Sequence, residues 1–271
     1  VPRWVDGIEE VTTIGIGTTT GAATAVAARA TELSTAELPT TLVAVSTATL
    51  ALGVVCAVLL AVDVARRPQP MGVMNVVWPV TALFGSVLWV AAYLRWGRAS
   101  PRGADGGDRP RRPTAVSVFL GTNHCGAGCT LGDLVVEWTV LALPGLLVLG
   151  GYDWLFADRI FGTWVLDYVA AFAIGVAFQF FAIAPMRGLG VRAGLREAVK
   201  ADALSITAWQ VGMYGTMAAV QLAVLPAVLG GRAAVSTPVF WAAMQVAMLV
   251  GFATSYPVNW YLLRAGIKER M

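Results

Sequence analysis

Long apolar stretches alternate along this chain with short segments that carry most of its charge. Six apolar stretches stand out, at about 41–65, 72–94, 130–151, 163–184, 204–229 and 239–263. Each has roughly the 20 residues that a helix needs to cross a hydrocarbon core about 30 Å thick. Their polar residues are few and isolated, so a soluble helical bundle does not fit. The pattern predicts an all-α fold: a polytopic transmembrane helix bundle of about six spans over residues 41–271, preceded by an extension over 1–40. The extension is rich in Thr, Gly and Ala around Thr12 to Ala28 and reads as a surface helix or a mobile arm. It lacks the apolar core and small-residue cleavage site of a secretory signal. Between spans two and three, Ala115-Val116-Ser117-Val118-Phe119-Leu120 is too short to cross and runs into a glycine-rich segment. A re-entrant or broken segment at 115–130 fits that pattern. Such backbone is tolerated at membrane depth only inside protein or beside a water-filled cavity.

Composition sharpens the membrane reading. Hydrophobic residues make up 57% of the chain and charged ones 13%, against about 25% charged in ordinary soluble domains. Most basic residues sit between spans. Arg95, Arg98, Arg102, Arg109, Arg111 and Arg112 fall in or beside a flexible loop over 95–114, rich in Pro and Gly. Arg187, Arg192, Arg196 and Lys200 separate spans four and five, and Arg264, Lys268 and Arg270 form the tail. Six crossings put these three groups on one side, the cytoplasm by the positive-inside rule, with both termini there. The Arg66–Arg67 pair opposes that arrangement. Nothing resembles the basic stripe of a nucleic-acid-binding protein.

Candidate chemistry centres on His124-Cys125-Gly126-Ala127-Gly128-Cys129, which holds the single histidine and two of three cysteines. Cys125 and Cys129 are four apart, so on a helix they share a face, and Asp133 and Glu137 continue that stripe. Two thiolates and an imidazole suit copper(I), zinc or iron, and a carboxylate completes a zinc or iron site. The metal set is therefore His124, Cys125, Cys129 and Asp133, with a copper or zinc ion as the bound species. A CxxxC pair can instead form a redox disulfide where geometry permits. The bland alternative is two buried cysteines that pack as small hydrophobes.

Acidic residues in or near the spans are Asp63, Asp133, Glu137 and Asp167. A charge at the bilayer centre costs about 2.5–3.5 kcal/mol even on insertion scales. Glu137 and Asp167 lie deepest and suit a cation or proton path, whereas Asp63 sits at a span end beside arginines. Met213 and Met217, like Met244 and Met248, are spaced by one helical turn and offer soft thioethers for an onward path. Methionine stripes are more often adaptable packing. Gly212, Gly215 and Ala218 permit close helix packing within the chain or in a homo-oligomer. Phosphate-binding loops, nucleophile elbows, zinc-protease and haem-attachment motifs are absent, so dedicated catalytic machinery is not evident.

Several motifs in order resemble one family: Arg67-Pro68-Gln69-Pro70-Met71, Asn75-Val76-Val77-Trp78-Pro79, the Thr122–Asp133 segment, Lys200-Ala201-Asp202, Thr207–Gly215, and Thr254-Ser255-Tyr256-Pro257-Val258-Asn259-Trp260. The chain resembles a prokaryotic integral membrane family described as a domain of unknown function. The resemblance runs from about residue 41 to the C-terminus and implies the architecture without naming a reaction.

Together these readings predict a multi-pass protein of the prokaryotic inner membrane that binds, and in the fuller form transports, a soft transition-metal ion, copper(I) ahead of zinc. Two alternatives stay open. One is a membrane thiol–disulfide oxidoreductase using Cys125 and Cys129. The other is a non-catalytic accessory subunit of a larger membrane complex, with lipid and that complex as its partners.

Overall fold

The computed structural model describes residues 31–99 and 113–268. The expectations for residues 1–30, most of the basic loop and the last three residues lie outside them. Seven α-helices run in order among the described residues: α1 (Thr40–Arg66), α2 (Met74–Ala92), α3 (Thr114–Ala142), α4 (Arg159–Arg187), α5 (Val191–Ala218), α6 (Leu225–Leu229) and α7 (Pro238–Arg264). A π-helical turn, Ala219–Val224, joins α5 to α6 into one long element. Six segments are long and apolar enough to cross a membrane, which makes the protein a polytopic helical bundle.

Burial runs opposite to a soluble fold. Val58 and Leu59 of α1, Val169 and Phe181 of α4 and Val211 of α5 point outward, while Asp133, Asp167, Asp202, Gln179 and Gln210 are buried. Hydrocarbon around the bundle accounts for the first set; the second has to be explained by function or by partners.

One of the six, α2, folds back on itself. A straight helix from Met74 to Gly97 would hold its ends about 35 Å apart. Instead Gly97 packs directly on the Trp78 ring, and the Trp78 and Tyr93 rings meet edge to face at 5.3 Å. The turn is at Ser86, whose φ of 46° and ψ of −130° break the helix after Gly85. Gly85 lies against the Trp89 ring, an approach that a side chain there would block. The Leu83 carbonyl just before the turn accepts from Gln245 Nε2 at 2.7 Å. Asp63, near the end of α1, then meets both the Tyr93 hydroxyl at 2.7 Å and Arg98 Nη2 at 2.8 Å. Had α2 crossed, those partners would lie on the opposite face.

This hairpin changes the topology expected from six crossings. Gln245 Nε2 also reaches the Thr49 carbonyl at 3.4 Å, and both residues lie in the first half of their helices, so α1 and α7 run parallel. The short parallel pair β1 (Glu32–Leu33) and β2 (Arg232–Ala233), and the Glu32–Arg159 ion pair at 3.2 Å, hold the start of α1 beside the starts of α4 and α7. Residues 32 and 268 therefore occupy opposite ends of the bundle, not the same end. The Arg66–Arg67 pair now shares an end with Arg98, Arg192 and Arg264. The opposite end keeps Arg159 and Arg232, each paired with an acid.

The break expected at 115–130 is absent, and α3 is a continuous helix of 29 residues. Its glycines serve close packing instead of a bend. A Cβ on Gly128 would lie 2.8 Å from the Gly175 Cα, one on Gly132 2.6 Å from the Ala171 nitrogen, and one on Gly126 2.5 Å from the Trp209 ring. Small residues let helix backbones approach where the lipid supplies no hydrophobic drive. The third span accordingly occupies 114–142, and Pro144–Gly150 forms a 3-10 turn outside it. With α2, α4, α5 and α7 all against it, α3 is the central helix.

Candidate functional site

One face of α3 carries Gly121, Cys125, Cys129, Asp133 and Glu137 in steps of four, so the helix itself lines them up. This stripe is buried along its length, with Cys125 and Cys129 fully enclosed and Asp133 and Glu137 at 1% and 5% exposure. Opposite it, α4 offers Thr163, Asp167, Ala171, Gly175 and Gln179 at the same spacing. The small residues of that series set the close approach, and the polar ones are buried with it.

Toward the basic end, the stripe enters a compact polar knot. Cys125 Sγ donates to Asp202 Oδ1 at 2.9 Å and lies 2.8 Å from Ser205 Oγ. Asn259 Nδ2 donates to Ser205 Oγ at 2.6 Å and to Ser255 Oγ at 3.0 Å. Lys268 closes the cluster: its Nζ donates to Asn259 Oδ1 at 2.8 Å, Asp202 Oδ1 at 3.0 Å and Cys125 Sγ at 3.4 Å. Lys268 gets there because α7 ends in a turn at Gly266, φ 69°, which aims the Ile267 and Lys268 amides back at the Leu262 carbonyl. Glycine favours that left-handed conformation. Gly121 leaves room for the lysine stem, 3.5 Å from where a Cβ would stand. Burial alone would push Lys268 down, but the nearby Asp202 carboxylate and the hydrogen bonds the ammonium makes outweigh it and hold its pKa above the ordinary lysine value.

Farther along α3 the polar groups have no such partners. Both carboxyl oxygens of Asp133 and both of Asp167 are buried without a hydrogen-bond partner among the described residues. Asp133, Glu137 and Asp167 lie near enough to sense one another's charge, and Glu137 also senses Arg159 and Glu32 at the far end. Gln179 and Gln210 are buried with both amide atoms unpartnered as well.

The residues singled out from sequence thus divide. His124 is fully buried with neither ring nitrogen bonded, Cys125 belongs to the knot, and Asp133 belongs to the carboxyl cluster. Among the described residues, no three His, Cys, Asp or Glu side chains gather as a metal-holding group. Cys56, Cys125 and Cys129 are all free thiols. Met213 and Met217 are core residues of α5, whereas Met244 and Met248 line a cavity beside Asp133. Asp63 is a hairpin clamp.

Asp202, Ser205, Ser255, Asn259 and Lys268 were not expected as site residues. Asp202 falls just before the apolar stretch that begins near 204, so it reads as a loop charge, although α5 starts at Val191. Lys268 reads as a tail charge for topology, and only the Gly266 turn shows otherwise.

Residues 116–268 match the family described as a domain of unknown function, DUF4396, and the chain belongs to that family. The matched segment starts at α3, later than the expected residue 41, and contains both the knot and Asp133, Glu137 and Asp167. No curated protein and no solved structure matches the chain.

Proposed function

We propose that this member of the family moves protons across a membrane, with Glu137, Asp133 and Asp167 as the relay and the α3–α4–α5 seam as the path. The observation that carries the reading is the set of four buried, unpartnered oxygens on Asp133 and Asp167. An isolated ionised carboxylate is too costly in a dry bundle, so such a group must carry a proton or hold a cation. Ionisable residues facing a bundle interior mark ion or proton pathways more often than they mark structure. Neighbouring carboxyls at helical spacing can hand a proton from one to the next without large backbone motion. Glu137 and the nearby Arg159–Glu32 pair give the relay an outlet at the far end. We further place the arginine-rich end in the cytoplasm of a prokaryotic inner membrane, because the hairpin collects Arg66, Arg67, Arg98, Arg192 and Arg264 there.

The test is proton uptake into liposomes containing the purified protein, driven by an imposed potential and read with an internal pH dye. Wild type is expected to acidify the lumen well above empty vesicles, and Asp167→Asn to lower the rate at least tenfold. A wild-type rate equal to that of empty vesicles would overturn the reading.

A soft-metal site at His124, Cys125, Cys129 and Asp133 ranks behind proton transfer, because Cys125 is already bound to Asp202, Ser205 and Lys268. Elemental analysis of anaerobically purified protein, beside a Cys125→Ser/Cys129→Ser control, decides that order. Near-stoichiometric copper or zinc lost in the control would reverse it.

A further inference from the structure

The α2 hairpin reaches only partway through the bundle, and the space beyond its tip is open. A cavity of about 230 Å³ lies there, walled by Leu83 and Phe84 of the tip, Leu50 of α1, and faces of α3 and α7. Asp133 lines it. Thr130 Oγ1 already donates to the Gly126 carbonyl at 2.7 Å, and Gln245 Nε2 to the Leu83 carbonyl at 2.7 Å. The lining's strongest uncommitted polar group is therefore the Asp133 carboxyl, whose buried oxygens have no partner among the described residues.

From this arrangement we infer that the cavity binds a small amphiphilic ammonium ion, with its cationic head at Asp133 and its apolar body against α7. The inference rests on the proton-relay reading and names the substrate class of the same carboxyl. Each element of the cavity fits that class. A free carboxylate in apolar surroundings calls for a cation. Trp138 and Trp241, stacked at 5.9 Å with planes 9° apart, form an aromatic wall, and aromatic faces attract ammonium groups. Met244 and Met248 give an adaptable apolar floor. The volume falls below the roughly 300–1,000 Å³ of sites for drug-sized ligands, so the body is small.

Occupancy by proton and by ammonium is mutually exclusive at one carboxyl. Binding breaks the Asp133 O–H bond, sends that proton to solvent and leaves a carboxylate paired with the ammonium. The other titratable groups around Asp133 are Cys129 and Glu137 on its own helix, Asp167 on α4 and Tyr214 on α5. The walls from α1, α2 and α7 contribute none.

Equilibrium calorimetry on the detergent-solubilised full chain tests this with benzyltrimethylammonium, whose fixed charge carries no exchangeable proton. Its neutral carbon analogue, neopentylbenzene, serves as control. The expected result is binding of the cation with release of one proton, at least tenfold tighter than the neutral analogue. Asp133→Asn should weaken the cation at least tenfold, and Met248→Phe, which fills the cavity from α7, should also weaken it. Equal binding of cation and neutral analogue would overturn the inference and identify an apolar niche for a lipid chain. Undiminished binding to Asp133→Asn would also overturn it. No gradient is involved, so absent proton flux with intact cation binding defeats only the relay, and the converse defeats only this site.

Discussion

Helix α3 passes through two buried polar regions less than three turns apart, and they are built on opposite plans. Around Cys125, an ammonium, a carboxylate, a thiol, two hydroxyls and an amide share a dense set of hydrogen bonds. Around Asp133 and Asp167, the carboxyl oxygens are buried with no hydrogen-bond partner among the described residues. Both regions cost desolvation, but only the first recovers it through fixed partners. A satisfied network rigidifies the helices that meet in it. An unsatisfied one leaves groups whose state depends on what arrives, be it a proton or a cation. The contrast assigns the knot to architecture and the carboxyls to traffic.

Breaking the knot should have the largest effect on stability. Lys268→Met leaves Asp202 charged, buried and unpaired, a loss of about 3–5 kcal/mol that lowers the melting temperature by about 10 °C. Adding Asp202→Asn in the same chain removes the stranded charge and should restore most of the loss. A single variant that melts like wild type in circular dichroism would remove the distinction between the regions. Next in size is Gly128→Ala, whose methyl would meet the Gly175 backbone at 2.8 Å. Overpacking of that kind costs about 1–3 kcal/mol. It should cut melting temperature and separate α3 from α4, whereas Gly145→Ala, with nothing within 4 Å of its Cβ, should be neutral in the same assay.

The carboxyl region should answer with the other sign. Asp167→Asn replaces a carboxyl that has no hydrogen-bond partner among the described residues with a neutral isostere, so thermal stability should stay within about 1 kcal/mol of wild type or rise. A marked loss would mean that Asp167 has a structural partner, and the two regions would no longer differ in kind.

Much of the bundle was legible in the chain because lipid imposes a simple length and polarity rule. The apolar stretches locate the six long segments to within a few residues, except at the start of the fifth and at both ends of the third, where the pattern gives 130–151 but the helix ends at Ala142 before an apolar 3-10 turn. The first turns of α5 carry Arg192, Arg196 and Lys200, and those of α3 merge into the Gly-rich stretch, so both helices begin earlier than expected. The hairpin was invisible for a different reason. Residues 74–97 are as apolar as a true span, and the one irregular backbone position is Ser86, an unremarkable residue type for a turn inside hydrocarbon. Glycines misled in the other direction, since Gly126 and Gly128 look like a break and are helix contacts. The acids were found because charge in an apolar run is conspicuous. Their lack of partners, and the knot's completeness, depend on contacts between α3, α5 and α7 that no local pattern encodes. Single cysteines at Gln69, Ala99 and Gly188, in a chain with its native cysteines replaced, check the hairpin directly. All three should label from one side of the membrane and a cysteine at Asp153 from the other; Gln69 and Ala99 on opposite sides would restore six crossings.

The smallest effect expected is at the far end, where Arg232 clamps Asp158. The guanidinium holds the Asp158 carboxyl below the usual carboxylate range, so the folded state binds its proton less readily than the unfolded chain does. The stabilisation is therefore present above the unfolded value of about 3.9 and fades as pH falls through the lower folded value. Asp158 also caps α4 by accepting from the Ile160 amide at 3.1 Å, a role that asparagine keeps. Asp158→Asn thus removes the ion pair alone, and partial exposure limits its worth to about 1 kcal/mol. Wild type should outlast this variant at pH 7 and match it only once pH has fallen through the lowered folded value. Lys268 sits above its ordinary value, so its contribution is full below about pH 10.4 and declines only as pH rises through the folded value.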